Sequence, residues 1–309
     1  MLASVWVTGS AVGQTLTIST AGSSPSGWSI SSGTLTVTAT STVNVSEINT
    51  ALASGSLTIV GNTSSFAVTV STAINSTTAG SDLTIGSSGN TGNITLAAAI
   101  SVAGSISVYG GNVFAQQNIT ATPSGADILL QATGYISLSA DKTIETNNGD
   151  ITFRANAGGT AVDVPNSTTG AITLNSGSSL FSTGGNITLG GNFTGTKGVG
   201  LYAASGRTGG APGILISNAT LTAAGGNFNI YGRCTTNYDD GIRLQATMTT
   251  TGSGTIGLYG DSYGGLTNLT PDVFLRTGVH QFYGCPDFSA KRQLYTGAEC
   301  LQPDHWKSG

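Results

Sequence analysis

GILISNATLTAAGGNFNIYG (213–232) and GIRLQATMTTTGSGTIGLYG (241–260) read as one sentence written twice, offset by 28 residues when overlaid without a gap. The overlay sets Ile214 on Ile242, Ile216 on Leu244, Gly226 on Gly254, Phe228 on Ile256, Ile230 on Leu258 and Tyr231 on Tyr259. Each copy holds two apolar-alternating runs separated by a small Ser/Thr/Gly break, and each ends in Tyr-Gly. Two short strands cannot bury an apolar side alone, whereas stacked copies bury a continuous core. The expected fold is all-β, a solenoid.

Looser versions of the unit run through the rest of the chain. TLTIST (15–20), TLTVTAT (34–40), SLTIVG (56–61), FAVTVS (66–71) and DLTIGS (82–87) alternate with period two, which puts Leu, Ile and Val inward and Thr outward. Leu16, Leu35 and Leu57 are 19 and 22 residues apart, about one solenoid turn. SEINTALASG (46–55) breaks the rhythm. Ser46 as cap, Ile48, Ala51 and Leu52 on one face and Gly55 as terminator predict a short helix near 47–54. From Gly92 the phrase becomes Gly-x-Ile-x-Leu, with glycine expected to supply turn conformations that a side chain forbids. The spacings Gly104 to Gly125 and Gly149 to Gly170 are both 21, which favours a parallel β-helix over a sandwich or barrel.

Two stretches, 190–212 and 233–240, read as enlarged loops, and solenoid insertions often carry the binding surface. The organisation expected is a repeat region over 1–270 and a non-repeat tail or cap over 271–309. That tail has eight of the 24 charged residues, both histidines and two of three cysteines. It reads either as a C-cap or as sequence foreign to the fold.

Composition narrows the function classes. Glycine is 46 of 309 residues, twice the usual share of roughly 7%. Charged residues are only 8%, but apolar ones are 38% and regularly spaced, which argues for stacked β-structure over disorder. The net charge is −4 and the one basic pair is Lys291 with Arg292, so no nucleic-acid footprint is present. No apolar run reaches the roughly 18 residues of a membrane span. MLASVWVTGS does not read as a signal peptide, and Met1 reads as an internal methionine of a longer chain.

Phosphate loops, nicotinamide fingerprints, GxSxG, HExxH and GGxGxD are not found, so no catalytic set, cofactor or metal is expected. A β-helix polysaccharide lyase or glycosidase is the competing enzyme reading. It would draw on Asp239, Asp240 and Asp261 with Arg233 and Arg243. His280, Cys285, Cys300 and His305 are spaced too loosely for an ordinary zinc site, and a Cys285–Cys300 disulfide competes with unpaired thiols. Thr15, Thr17, Thr34, Thr36 and Thr38 resemble an ice-binding array, but the Thr runs fade after residue 96. The ligand-binding candidates are Tyr202, Arg207, Arg233, Tyr238, Asp239, Asp240, Asp261 and Tyr263, which put aromatics beside hydrogen-bonding groups in or next to the enlarged loops. Tyr231 and Tyr259 should stack in adjacent coils.

GNITLAAAISVAGSISVYGG (92–111), ADKTIETNNGDITFRANAGG (140–159) and NVSEINTALASGSLTIVG (44–61) resemble the filamentous-haemagglutinin-like adhesins, bacterial surface proteins exported by the two-partner route. The likeness covers roughly residues 30–265. It implies a right-handed parallel β-helix, an extracellular or cell-surface location, and adhesion to a glycan or protein receptor without catalysis. It also implies an outer-membrane secretion partner for the full-length chain. The family's Asn-Pro-Asn secretion motifs are not found, and no C-terminal barrel follows, so the expectation is a fragment of a longer adhesin.

Overall fold

Each alternating run forms a short strand, and the strands stack almost wholly in parallel. The computed structural model describes residues 13–21, 26–157, 171–191, 203–205, 212–234, 241–262, 268–269, 274–276, 279–283 and 298–301. Their strands build a 16-stranded and a 13-stranded sheet. The larger sheet folds over a corner. The first half of Ile214–Ala223 pairs with Ile172–Leu174 and the second half with Ser179–Ser182. The chain therefore visits three faces in turn. Ile94–Leu96, Ile100–Val102 and Ile106–Gly110 make one coil, and Val113–Ala115, Ile119–Ser124 and Ile128–Ala132 lie parallel on them in the next. This is the path of a parallel β-helix.

Alternation decides what fills it. Ile94, Leu96, Ile106, Val108, Ile151, Phe153, Ile172, Leu174, Ile187 and Leu189, all read as inward from the sequence, are 0% exposed. They form rows along the axis: Val68, Ile94, Val113, Ile136, Ile172, Ile214 and Ile242 are successive register partners on the first face.

The repeat that opens the sequence reading holds with one amendment. Tyr231 partners Tyr259 and Phe228 partners Ile256 at the expected offset. Upstream of these pairs the register slips at Ser217/Ala219, so Leu221 lies opposite Met248, not Thr249. Asn218, at φ 47, is the extra residue. A short polar side chain tolerates this left-handed conformation, so the copies need not be gapless to stack.

Coil length is not uniform. Partners Ile94 and Val113 are 19 residues apart, Ile136 and Ile172 are 36 apart. The 21-residue spacing from Gly149 to Gly170 is accordingly not a coil period. Gly149 stacks instead under Gly185, with Gly226 and Gly254 above. Nor do Leu16, Leu35 and Leu57 form one row. Leu35 partners Ile59, and Leu57 partners Leu83. Leu16 lies on another face between Ser41 and Val68.

The reason is that the first described strands depart from the three-face coil. Trp28–Ser31 turns back antiparallel on Thr34–Val37, and Thr15–Ser19 slots between Ser41–Asn44 and Ala67–Val70. The predicted helix spans Val45–Ser54 and buries Ile48 and Leu52. Its cap is Asn44, whose side chain accepts the Ser46 N–H, so Ser46 is not the cap but the donor to it. The Gly55 N–H closes the helix on the Leu52 carbonyl. The helix covers the edge strand Ile74–Asn75, where Asn49 Oδ1 accepts the Asn75 N–H at 3.1 Å as a neighbouring strand would. An open strand edge invites pairing with other chains, and a helix laid over it removes that template.

The polar side of the coil has its own order. Ahead of each third-face strand, a side-chain oxygen accepts the backbone N–H of the equivalent residue one coil on. Ser56 serves Asp82, Asp82 serves Ser105, Ser105 serves Asp127, and Asp127 serves Asp150. Asp150 serves Asn186, Asn186 serves Asn227, and Asn227 serves Thr255. Asp150 Oδ1 takes both the Asn186 N–H (2.7 Å) and its Nδ2 (3.1 Å). Asp150→Ala should therefore cost about 1 kcal/mol. Asp150→Asn should be near neutral, since asparagine does the same work at 186 and 227. Urea titration of the three proteins checks the contrast.

Of residues 271–309, the described ones are three short strands. Phe274–Arg276 pairs with Ile242–Thr250, Val279–Tyr283 with Thr255–Ser262, and Ala298–Leu301 with Val279–Tyr283, all in parallel. His280 partners Ala298 and Cys300 partners Phe282. Cys285 and His305 lie outside the described residues.

Candidate functional site

Past the first coils, where the helix Val45–Ser54 stands between Ser41–Asn44 and Leu57–Gly61, insertions enter at one corner. From Ile94 onward, the second face passes to the third through short turns in each described coil, and the first passes to the second through short turns or, in Ile214–Ala223 and Ile242–Thr250, within one strand. Where the third face returns to the first, the connection is two residues after Gly110 and 17 after Arg154, and between Gly190 and Ile214 it is 23 residues and holds the strand Ala203–Ser205. The expected loop 190–212 is not a single loop, because Ala203–Ser205 is a strand pairing with Gly232, Arg233 and Cys234. The loop expected over 233–240 likewise begins later, since Arg233 and Cys234 end the strand Phe228–Cys234.

Of the eight predicted site residues, two lie on described backbone. Arg233 and Asp261 are register partners at the ends of adjacent third-face strands. Tyr202, Arg207, Tyr238, Asp239, Asp240 and Tyr263 lie outside the described residues. The residues flanking them, Gly191 and Ala203, Ser205 and Pro212, Cys234 and Gly241, Ser262 and Asn268, sit at the end of the third face or the start of the first. Arg243 is on the first face, register partner of Leu215 and Asn268.

The same corner carries residues that the sequence reading missed. On the last outward position of the third face, Tyr109, Gln131, Arg154 and Gly190 are successive register partners. One coil on, the row resumes with Tyr231, partnered by Tyr259, which is partnered by Tyr283. Tyr109, Arg154 and Tyr231 are half-buried, and Gln131 is more deeply covered. The Arg154 side chain lies along the row: Nε donates to the Gly191 carbonyl at 3.1 Å and Nη1 to Gln131 Oε1 at 3.4 Å. Burial pulls its guanidinium below the ordinary arginine value, and Tyr109 opposes that pull. Across the corner, Phe114 and Tyr135 meet edge to face with ring centroids 5.5 Å apart, and burial pushes the Tyr135 phenol up. These residues share a position in the coil but no spacing in the sequence, so only the register exposes them.

The outward threonines also form rows. Thr34, Thr58, Thr84 and Ser107 are successive partners on the third face, as are Thr152 and Thr188, with Leu129 between the two runs. On the first face Thr42, Thr17, Thr69 and Thr95 run up to Phe114. The unbroken threonine rows end at Thr84 and Thr95, in keeping with the fading read from the sequence; beyond them Phe114 and Leu129 interrupt the rows, and the third face resumes with Thr152 and Thr188.

Among the described residues no three His, Cys, Asp or Glu side chains group to hold a metal ion. No described helix is long and apolar enough to cross a membrane. No protein-family model, curated protein or solved structure matches the chain.

Proposed function

We propose that this chain is a structural and adhesive segment of a secreted or surface-displayed bacterial protein, binding a glycan or protein on a cell, host or matrix surface without catalysis. The observation that carries this reading is that, from Ile94 onward, the coil's enlargements gather where the third face returns to the first. Stacked backbone makes the helix a stiff scaffold, and variation gathered at one corner is how a scaffold presents a binding surface. The likeness in phrasing to filamentous-haemagglutinin-like adhesins supports the same reading, and with it an outer-membrane export partner for the longer protein.

Beads coated with the purified chain should adhere to cells or to extracellular matrix, saturably and in competition with soluble protein. Failure to bind any such surface overturns the reading. Release of unsaturated or reducing ends from pectin or alginate would instead establish the polysaccharide-enzyme alternative. Thermal hysteresis in freezing solutions would establish the ice-binding one.

A further inference from the structure

We propose that Phe114 and Tyr135, on the outward side of the first face, form a shelf that binds an uncharged glycan. The proposal rests on the adhesive reading and names its ligand class.

The shelf has an aromatic centre and a polar rim. Phe114 is the outward residue of Val113–Ala115, between Thr95 in the coil before and Ser137 in the coil after. Tyr135 leads into the next strand, and the two rings meet at 83° with centroids 5.5 Å apart. Planes at right angles make a corner, not a stack, and both rings are only half-buried. Asn112 ties the rim to this corner: its Oδ1 accepts the Tyr135 N–H at 3.0 Å, and its Nδ2 donates to Asn93 Oδ1 at 3.0 Å. The Asn93 amide thereby keeps both of its N–H donors for a ligand. The Thr95 hydroxyl, the Gln116 amide and the Tyr135 phenol also make no hydrogen bond among the described residues. Asn93 and Gln116 are exposed, and Thr95 is half-buried.

The surroundings decide the occupant. Residues 66–71, 93–97, 112–116, 135–139 and 171–175, the successive first-face segments around the shelf, contain no charged residue. The second and third faces carry Glu145, Asp82, Asp127, Asp150 and Arg154. An acidic ligand on the shelf would lose water without gaining a cation, and a basic one without gaining an anion. An aliphatic protein patch would cover the open Asn93 and Gln116 amides and leave them unpaired. A neutral pyranose avoids both costs. It has C–H groups on its ring face and hydroxyls around its edge, and the shelf has aromatic faces at its centre and hydrogen-bonding groups around them. Tyr135 contributes to both parts, since tyrosine joins an apolar ring to a polar tip.

The test is binding of the purified chain to immobilised galactomannan, xyloglucan and laminarin, with polygalacturonate and heparin as charged counterparts. Wild-type protein should bind at least one of the neutral polymers and neither charged one, and the binding should not weaken as salt is raised. Phe114→Ala should weaken it about tenfold. Tyr135→Phe, which keeps the ring and removes the phenol, should weaken it about fivefold. Phe181→Ala, which removes a half-buried outward ring from the second face, should bind as wild type. Unchanged far-ultraviolet dichroism and melting of the variants separate lost binding from lost fold. Failure to bind any neutral polymer, binding that falls with salt, or wild-type binding by a folded Phe114→Ala protein overturns the shelf. If the beads still adhere to cells in those cases, the adhesive reading stands without it; if they do not, both fall.

Discussion

Ile172→Asp should destabilise the helix by roughly 4 kcal/mol or more. Ile172 is 0% exposed, with Ile136 in the coil before it and Ile214 in the coil after. Its neighbours Ala171 and Leu174 are equally covered, and even Thr173, which alternation points outward, is 2% exposed. A carboxylate there loses its hydration among aliphatic side chains and finds no cation in the row. The carboxyl escapes part of the cost by staying protonated, so its pKa in the folded chain rises above the unfolded value of about 3.9. The sign follows: the folded state then holds the proton more tightly, so the deficit grows as pH rises through the unfolded pKa and levels off above the folded one. Below about pH 4 the variant should recover part of its loss relative to wild type, though not the part due to lost aliphatic packing. Because each coil touches only its neighbours, the damage should centre on the coils of Ile136, Ile172 and Ile214. Hydrogen exchange should show faster opening there than at Ile94 or Ile106. Uniform protection equal to wild type would mean that Ile172 is not in the core.

The contrast between what could be read beforehand and what could not is physical. Ile94, Leu96, Ile151 and Ile187 were legible as core because period two is a local property of the backbone, and each strand declares its own inward side. The pairing of strands was legible only where two coils are similar in length and wording, as at 213–260. Elsewhere the coil period changes with the insertions at one corner, and equal spacing misleads, as with Gly149 and Gly170. The ladder from Ser56 to Thr255 mixes Ser, Asp, Asn and Thr, because all that it needs is an oxygen at one position. It has no sequence signature until the register is known. The row Tyr109, Gln131 and Arg154 was hidden for the same reason. Arg233 and Asp261 were visible because they follow the repeated Tyr-Gly, and the register does bring them side by side.

Glycine shows the same division, and it yields the second large effect. The sequence assigns the glycines of Gly-x-Ile-x-Leu to turns needing a left-handed backbone. That holds at Gly125, with φ 80, but Gly92, Gly104, Gly134, Gly149 and Gly185 do not have positive φ in that range. What excludes a side chain at Gly149 is another coil. A Cβ there would overlap the carbonyl of Ala126, one at Gly185 the carbonyl of Gly149, and one at Gly226 the carbonyl of Gly185. Backbone thus rests on backbone along this corner. The contact is tied by buried hydroxyls: Thr146 Oγ1 donates to the Gly149 carbonyl at 2.6 Å and Ser182 Oγ at 2.9 Å, while Ser182 Oγ accepts the Gly185 N–H at 2.8 Å. Gly149→Ala must push Ala126 and its coil away and pull on these bonds together, so a loss of about 3 kcal/mol is expected. Gly89→Ala is the control, because a Cβ there meets nothing within 4 Å and the backbone is not left-handed. It should be neutral or stabilising by a few tenths of a kcal/mol, through the unfolded chain alone. Urea melts of the two variants decide the matter. Equal stability would show that the coils at Gly149 are spaced loosely enough to admit a methyl group, and the backbone contact would then not be what selects glycine there.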